Sequence, residues 1–117
     1  MNFNEALLAH VRWSLQFKEA IEREETLDIA TISASDACEL GKWLLGEARA
    51  KYCSLDAYPD CVVRHAHLHK VAGQLAQQIN GGQYAHAETM LHDGSPYTEA
   101  SIELGIAISR LREQVCA

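Results

Sequence analysis

The sequence has no long hydrophobic run, no cluster of basic residues and only two prolines. No stretch approaches the roughly 20 consecutive apolar residues that span a bilayer, and the amino-terminal MNFNEALLAH lacks the basic and apolar regions of a signal peptide. Ten basic against 16 acidic residues give a formal net charge of -6, and no Lys/Arg run is available to neutralise a phosphate backbone. We therefore expect a cytoplasmic protein that binds neither membranes nor nucleic acid.

The cysteines also lack a pattern, because no two of them have C-x-x-C spacing. Without a secretory context we expect all four, Cys38, Cys53, Cys61 and Cys116, to be reduced thiols. Six histidines accompany them, and three lie in the run His65-Ala66-His67-Leu68-His69. Reduced cysteines with nearby histidines raise the question of metal binding.

Helical periodicity dominates the chain, and no window alternates apolar and polar residues as a strand would. We therefore predict an all-α fold in a single domain over residues 1–117, a length sufficient for one hydrophobic core. Pro59 and Pro96 each stand where a helix can begin. We predict a first helix over residues 4–25 and a connection over residues 26–33. The second predicted helix is capped by Ser33 or Ser35 and carries residues 36–45. Three further helices are predicted over residues 59–80, 84–91 and 96–115.

On the third predicted helix, His65 and His69 fall on the apolar stripe, whereas His67 falls on the polar face. A four-residue spacing stacks two imidazoles one turn apart, an arrangement that can offer two nitrogens to one metal ion. The alternative interpretation is that both histidines are ordinary core residues, each satisfied by a hydrogen bond and neither bound to a metal.

Two other helices supply further candidate ligands. His10 lies on the inward stripe of the first helix, and three buried imidazoles without a buried carboxylate favour a shared cation. Cys38 lies in the first turn or two of the second helix, where the helix dipole favours a thiolate. Three histidines and one cysteine suit zinc better than calcium or magnesium, while copper and iron also accept such ligands.

The same residues carry a resemblance to a known family, the chemoreceptor zinc-binding domain, over nearly the whole chain. Its signatures match His10-Val11-Arg12-Trp13, Cys38-Glu39-Leu40-Gly41-Lys42-Trp43, and the pair His65 and His69, with similar separations. Gly94-Ser95-Pro96-Tyr97 and Ser101 resemble the family's penultimate loop and last helix.

The resemblance implies an antiparallel four-helix bundle with an additional short helix and a buried zinc ion held by His10, Cys38, His65 and His69. It also implies a homodimer, since family members often form one. Members are usually joined to a chemoreceptor signalling domain or a diguanylate cyclase domain. This chain carries neither, so we expect its output partner to be a separate protein, or the chain to be an excised or stand-alone version of the domain.

Three functional classes follow from these observations. The leading one is a sensory or regulatory module of bacterial signal transduction, of the chemotaxis or cyclic-di-GMP type, that responds to zinc and to oxidation of the Cys38 thiolate. A purely structural zinc site is the alternative. An enzyme is disfavoured, because four protein ligands leave no open metal position and the inward faces lack Glu-x-x-His pairs.

The first predicted helix also has an apolar strip beside its His10 face, formed by Leu8, Val11 and Leu15. One packed neighbour does not need so wide an apolar surface. We therefore expect a homodimer that buries part of this strip, and the competing interpretation is that another helix of the same chain covers it.

Overall fold

The computed structural model describes all 117 residues and contains helices but no strands, which confirms the predicted all-α class. Seven helices replace the five expected, and three of them are long. None of the helices combines the length and the hydrophobicity that a transmembrane span requires. The helices are α1 (Phe3–Arg23), α2 (Ile29–Ser33), α3 (Glu39–Leu45), α4 (Glu47–Tyr52), α5 (Ala57–Asn80), α6 (Tyr84–Thr89) and α7 (Pro96–Val115).

The prediction of an irregular connection over residues 26–33 was wrong for its second half, where α2 forms. Asp28 caps this short helix, since its carboxylate accepts hydrogen bonds from the backbone N–H of Thr31 at 3.3 Å and from the Thr31 hydroxyl at 2.7 Å. These bonds satisfy groups that are otherwise unpaired at a helix start, and so offset the weak helix propensity of the sequence.

The predicted second helix over residues 36–45 corresponds to α3, which begins three residues later, at Glu39. Gly46, whose backbone angles of φ -108° and ψ -102° are not helical, separates it from a further helix, α4, that was not predicted. The third predicted helix begins two residues earlier than expected, at Ala57. Pro59 therefore lies inside the first turn of α5, where its missing N–H leaves no hydrogen bond unmade. The starts of α1 and α7 agree with the sequence to within one residue.

Helix α5 is the centre of the fold, and half of its residues are buried against α7, α2 and α1. Helices α1 and α7 run antiparallel: the Arg112 guanidinium donates to the Asn4 side-chain oxygen at 3.1 Å, and the rings of Phe17 and Tyr97 lie 5.5 Å apart. Since α1, α3 and α5 all contribute to one side of this core, side chains from distant parts of the sequence meet there. The largest buried side chains are Phe17, Leu40, Leu44, Leu68, Leu75, Ile79, Leu104, Leu111, His69 and Cys61.

Candidate metal centre

Helix α5 directs His65 and His69 into the core, where they are 2% and 1% exposed. His67 is exposed, so the predicted separation of the three histidines onto two faces is confirmed. The Nε2 atoms of His65 and His69 lie 3.0 Å apart. Helical periodicity is sufficient to cause this, because residues four apart lie above one another on the same face.

Helix α1 brings His10 to the same place, and this imidazole is 5% exposed. Its ring centroid lies 5.2 Å from that of His65 and 5.6 Å from that of His69. Trp13, one turn further along α1, packs against His10 at 5.3 Å and against His69 at 4.9 Å. The indole therefore forms an apolar wall that keeps water from one side of the three imidazoles.

Cys38 is the N-cap residue of α3, so the prediction that it lies within the first turns of that helix was wrong by one position. Its extended backbone, with φ -85° and ψ 162°, turns the side chain back over the helix start. There Sγ accepts a hydrogen bond from the N–H of Gly41 at 3.3 Å, and lies 3.2 Å from His65 Nε2 and 3.5 Å from His69 Nε2.

Gly41 permits the close approach that this geometry requires. A Cβ atom at this position would lie 1.7 Å from the backbone oxygen of Ser35 and 3.2 Å from Cε1 of His65. Any larger residue would push α3 away from the turn before it and from the histidines.

The outer nitrogens of two histidines are held by backbone carbonyls. His69 Nδ1 donates to the oxygen of Ile32 at 2.8 Å, and His10 Nδ1 donates to the oxygen of Ala6 at 2.8 Å. A carbonyl only accepts, so the proton is on Nδ1 and the neutral ring has its lone pair on Nε2. Both lone pairs are thus available to the centre of the cluster.

The Nε2 atom of His10 is buried and has no hydrogen-bond partner in the chain. A buried polar atom without a partner is costly, and native structures contain few of them. A cation bound between the four side chains would satisfy this lone pair together with those of His65 and His69. The orphaned atom is thus an observation that favours a metal ion over mutual hydrogen bonding.

Burial sets the protonation of the cluster. It lowers the pKa of His10 and His69, and together with the neighbouring charges of His69 and His10 it lowers the pKa of His65 to about 3. The imidazoles are therefore neutral at pH 7, as metal ligands must be. Burial also raises the pKa of the Cys38 thiol, opposed by backbone N–H groups of α3 and the charge of Lys42, so a bound cation is needed to favour the thiolate.

The donor atoms fit the demands of zinc. The three imidazole nitrogens and the sulfur all lie within 4.8 Å of one another. Tetrahedral zinc with ordinary bond lengths places its nitrogens about 3.3 Å apart and its sulfur about 3.6 Å from each nitrogen. For the three donor atoms of Cys38, His65 and His69, the observed separations are 3.0 Å between the nitrogens and 3.2–3.5 Å between sulfur and nitrogen, within a few tenths of an ångström of these values.

The other cysteines and histidines lie outside this cluster. Cys53 and Cys116 are exposed, and burial raises the pKa of the Cys61 thiol to about 12. His86 and His92 are exposed.

Sequence reasoning missed the contribution of α2, because the group that α2 supplies is the Ile32 carbonyl. A backbone acceptor leaves no side-chain signal. Only the Asp28-x-x-Thr31 capping pattern could have indicated that an ordered turn lies here.

Fold and site together define a small helical domain with a cluster of three histidines and one cysteine, a set of nitrogen and sulfur donors that can hold zinc. The sequence model of the chemoreceptor zinc-binding domain matches residues 10–76, more than half of the chain, and the matched range contains all four residues of the cluster. The chain belongs to this family. No curated protein and no solved structure matches it.

Proposed function

We propose that this domain binds one zinc ion through His10, Cys38, His65 and His69 and acts as a sensory or regulatory module in cytoplasmic signal transduction. One observation carries the proposal. Four donor atoms, supplied by α1, α5 and the start of α3, all lie within 4.8 Å of one another. Zinc bound there supplies positive charge that holds a thiolate and three imidazoles together. A cysteine ligand also needs the reducing conditions of the cytoplasm to remain a free thiol.

The donor set supports binding rather than catalysis. Four protein ligands complete a tetrahedral shell and leave no position for an activated water molecule. Family membership and the sequence signatures support an output of the chemotaxis or cyclic-di-GMP type, through a chemoreceptor or a diguanylate cyclase. Zinc occupancy of the domain would then control the activity of that chemoreceptor or diguanylate cyclase.

The segment from Leu27 to Leu44, whose conformation would change with zinc occupancy, is held to α5 by hydrogen bonds at both ends. At one end, the side chain of Asn80 makes two hydrogen bonds of 2.8 Å with the backbone of Leu27. At the other, the Tyr58 hydroxyl donates to the oxygen of Leu44 at 2.6 Å. Between them the segment reaches the cluster through the Ile32 carbonyl and the Cys38 sulfur. Changes at the metal centre would therefore act first on α2 and α3.

Oxidation of Cys38 is a second input that the site supports. With a peroxide, the thiolate sulfur would form a bond to one peroxide oxygen, the O–O bond would break, and hydroxide would leave. The sulfur loses two electrons to the peroxide and becomes a sulfenic acid. A sulfenic acid is a weaker donor than a thiolate, so this reaction would favour zinc release.

A measurement of hydrogen exchange tests whether the domain is a sensor. We expect zinc chelation, or treatment with peroxide, to remove protection selectively from α2 and residues 35–45, with α5 and α7 unchanged. The reason is that α3 is short and only Cys38 joins its start to α5 by polar contacts, whereas α5 and α7 share the apolar core.

A Cys53→Ser/Cys116→Ser variant is the control, because it removes the exposed thiols and leaves Cys38 as the reactive sulfur. Uniform loss of protection across all helices would favour the alternative function, a structural zinc site that stabilises the whole domain. Oxidation confined to Cys53 and Cys116 in the unsubstituted protein would remove the redox input.

We also propose that the domain forms a homodimer through the α1–α7 face, which we define as the exposed aliphatic side chains of Leu8, Val11, Leu15, Ile102 and Ile106. No helix of the same chain covers these side chains, each of which is 48–62% exposed. Antiparallel packing of α1 on α7 makes them one surface. A second copy related by a two-fold axis could cover it with the same apolar face.

Leu15→Glu should convert a dimer into a 13.0 kDa monomer, because it places a charge inside the buried apolar contact. Mass photometry or light scattering at micromolar concentration measures the change. Val63→Glu is the matched control, since Val63 is 63% exposed on α5 and Leu15 is 62% exposed on α1. A monomeric unsubstituted protein, or a dimer that persists in Leu15→Glu, would contradict the proposed face.

A further inference from the structure

A cavity of about 290 Å³ lies beside the metal centre, between the start of α1 and the start of α3. Two of the four cluster residues, His10 and Cys38, line it. The other two, His65 and His69, do not. The cavity therefore reaches one side of the cluster, the side that contains its only sulfur.

The lining changes from exposed to buried along the cavity. Asn2, Glu5, Ala9 and Glu39 are exposed and form its rim. His10 and Leu40 are buried and Cys38 is half-buried, so these form its floor. A cavity with an exposed rim and a floor that includes Cys38 is a passage from solvent to this residue.

The charged side chains on this passage have one sign. Glu5 and Glu39 are the only charged side chains among its lining residues, and both are on the exposed rim. Lys42 contributes positive charge near Cys38 from the next turn of α3, but it does not line the cavity. Met1 also lines the cavity, and its α-ammonium is the one positive group there. Two carboxylates against one ammonium leave a net negative charge at the mouth of a partly apolar passage, which attracts cations and repels anions.

We propose that this cavity is the access route by which zinc and small thiol-reactive molecules reach Cys38, and that Glu5 and Glu39 make the route selective for cations over anions. The zinc part of this inference rests on the proposed function. The accessibility of Cys38 does not, because it can be measured on metal-free protein.

Charged methanethiosulfonate reagents test the selectivity on metal-free Cys53→Ser/Cys116→Ser protein, in which buried Cys61 does not react. We expect Cys38 to react faster with the cationic ethyltrimethylammonium reagent than with the anionic ethylsulfonate reagent. Glu5→Gln/Glu39→Gln should lower the ratio of the two rate constants about tenfold at low ionic strength. Added salt at about 0.5 M should reduce the difference between the proteins.

Glu22→Gln/Glu88→Gln is the matched control, because it makes the same change in net charge around a different cavity, near the other end of α1. It should leave the ratio unchanged. A ratio that is the same in all three proteins, or that changes equally in both double variants, would overturn the proposed selectivity.

A bulky side chain on the rim of the cavity tests whether the cavity is the path to Cys38. Ala9→Phe places a ring on the exposed rim, and should slow the reaction of Cys38 with both reagents by about tenfold or more. Ala66→Phe, at an exposed position of α5 outside the cavity, should not. Equal Cys38 rates in Ala9→Phe and the unsubstituted protein would show that the sulfur is reached by another path, and would overturn the access route.

Zinc uptake separates this inference from the proposed function. Glu5→Gln/Glu39→Gln should still bind one zinc per chain, but metal-free protein should take up zinc several-fold more slowly in competition with a fluorescent indicator. Unchanged uptake would overturn the role of the two glutamates toward zinc. If the unsubstituted protein bound no zinc while the thiol results held, the proposed function would fail and the access route to Cys38 would stand.

Discussion

Alanine at His65 or His69 should abolish tight zinc binding, whereas His67→Ala should retain one zinc per chain. All three histidines lie within five residues on α5, but only His65 and His69 are buried with Nε2 directed at the cluster. Loss of an outer hydrogen-bond partner alone costs 10- to 100-fold in metal affinity, so loss of a ligand should cost more than about 100-fold.

Elemental analysis of protein purified without added metal measures this effect, with circular dichroism to confirm that each variant is folded. His10→Ala and Cys38→Ser extend the test to the ligands from α1 and from the start of α3. Cys53→Ser is the control for Cys38→Ser, since Cys53 is exposed and outside the cluster. A full equivalent of tightly bound zinc in both His65→Ala and Cys38→Ser would show that the assigned site is wrong.

Gly41→Ala should destabilise the domain by about 3 kcal/mol or more and lower its melting temperature by about 10 °C or more. The added Cβ would lie 1.7 Å from the backbone oxygen of Ser35, and backbone cannot move aside as a flexible side chain can. The substitution should also weaken zinc binding, because α3 would shift and take the Cys38 sulfur away from His65.

Gly105→Ala on α7 is the matched control for this substitution. Its Cβ would meet only the Leu7 side chain at 3.5 Å, an ordinary van der Waals contact. Since alanine is a better helix former than glycine, Gly105→Ala should be neutral or stabilise by about 0.5–1 kcal/mol. Thermal unfolding of both variants, with and without zinc, measures the effects. Similar melting temperatures for the two would contradict the close-packing role of Gly41.

The four cluster residues could be predicted from the sequence because each lies on, or next to, a helix whose apolar residues recur with a clear period. The period of 3.6 residues separates His65 and His69 from His67 and turns His10 inward on α1. The chemical types of the four side chains then favour zinc, and the family signatures agree with them. Local rules were sufficient here because which side of a helix a residue occupies depends only on spacing.

Local rules were not sufficient between residues 26 and 57. The weak helix propensity of residues 29–33 predicts a connection, but the Asp28 cap makes α2. No helix was predicted directly after residue 45, but α4 begins there, beyond the break in the backbone at Gly46. In both places a few hydrogen bonds or a single backbone conformation outweigh small differences in propensity.

The sequence by itself determined that the chain is all-α and which side chains face inward, because helical periodicity and side-chain chemistry are local properties. Only the tertiary structure decided that His69 is oriented by the Ile32 carbonyl, that Gly41 must lack a side chain, and that a cavity with Glu5 and Glu39 at its rim leads to Cys38. These three features arise where separate helices meet. The distances between helices depend on the packing of the whole core, which no local pattern encodes.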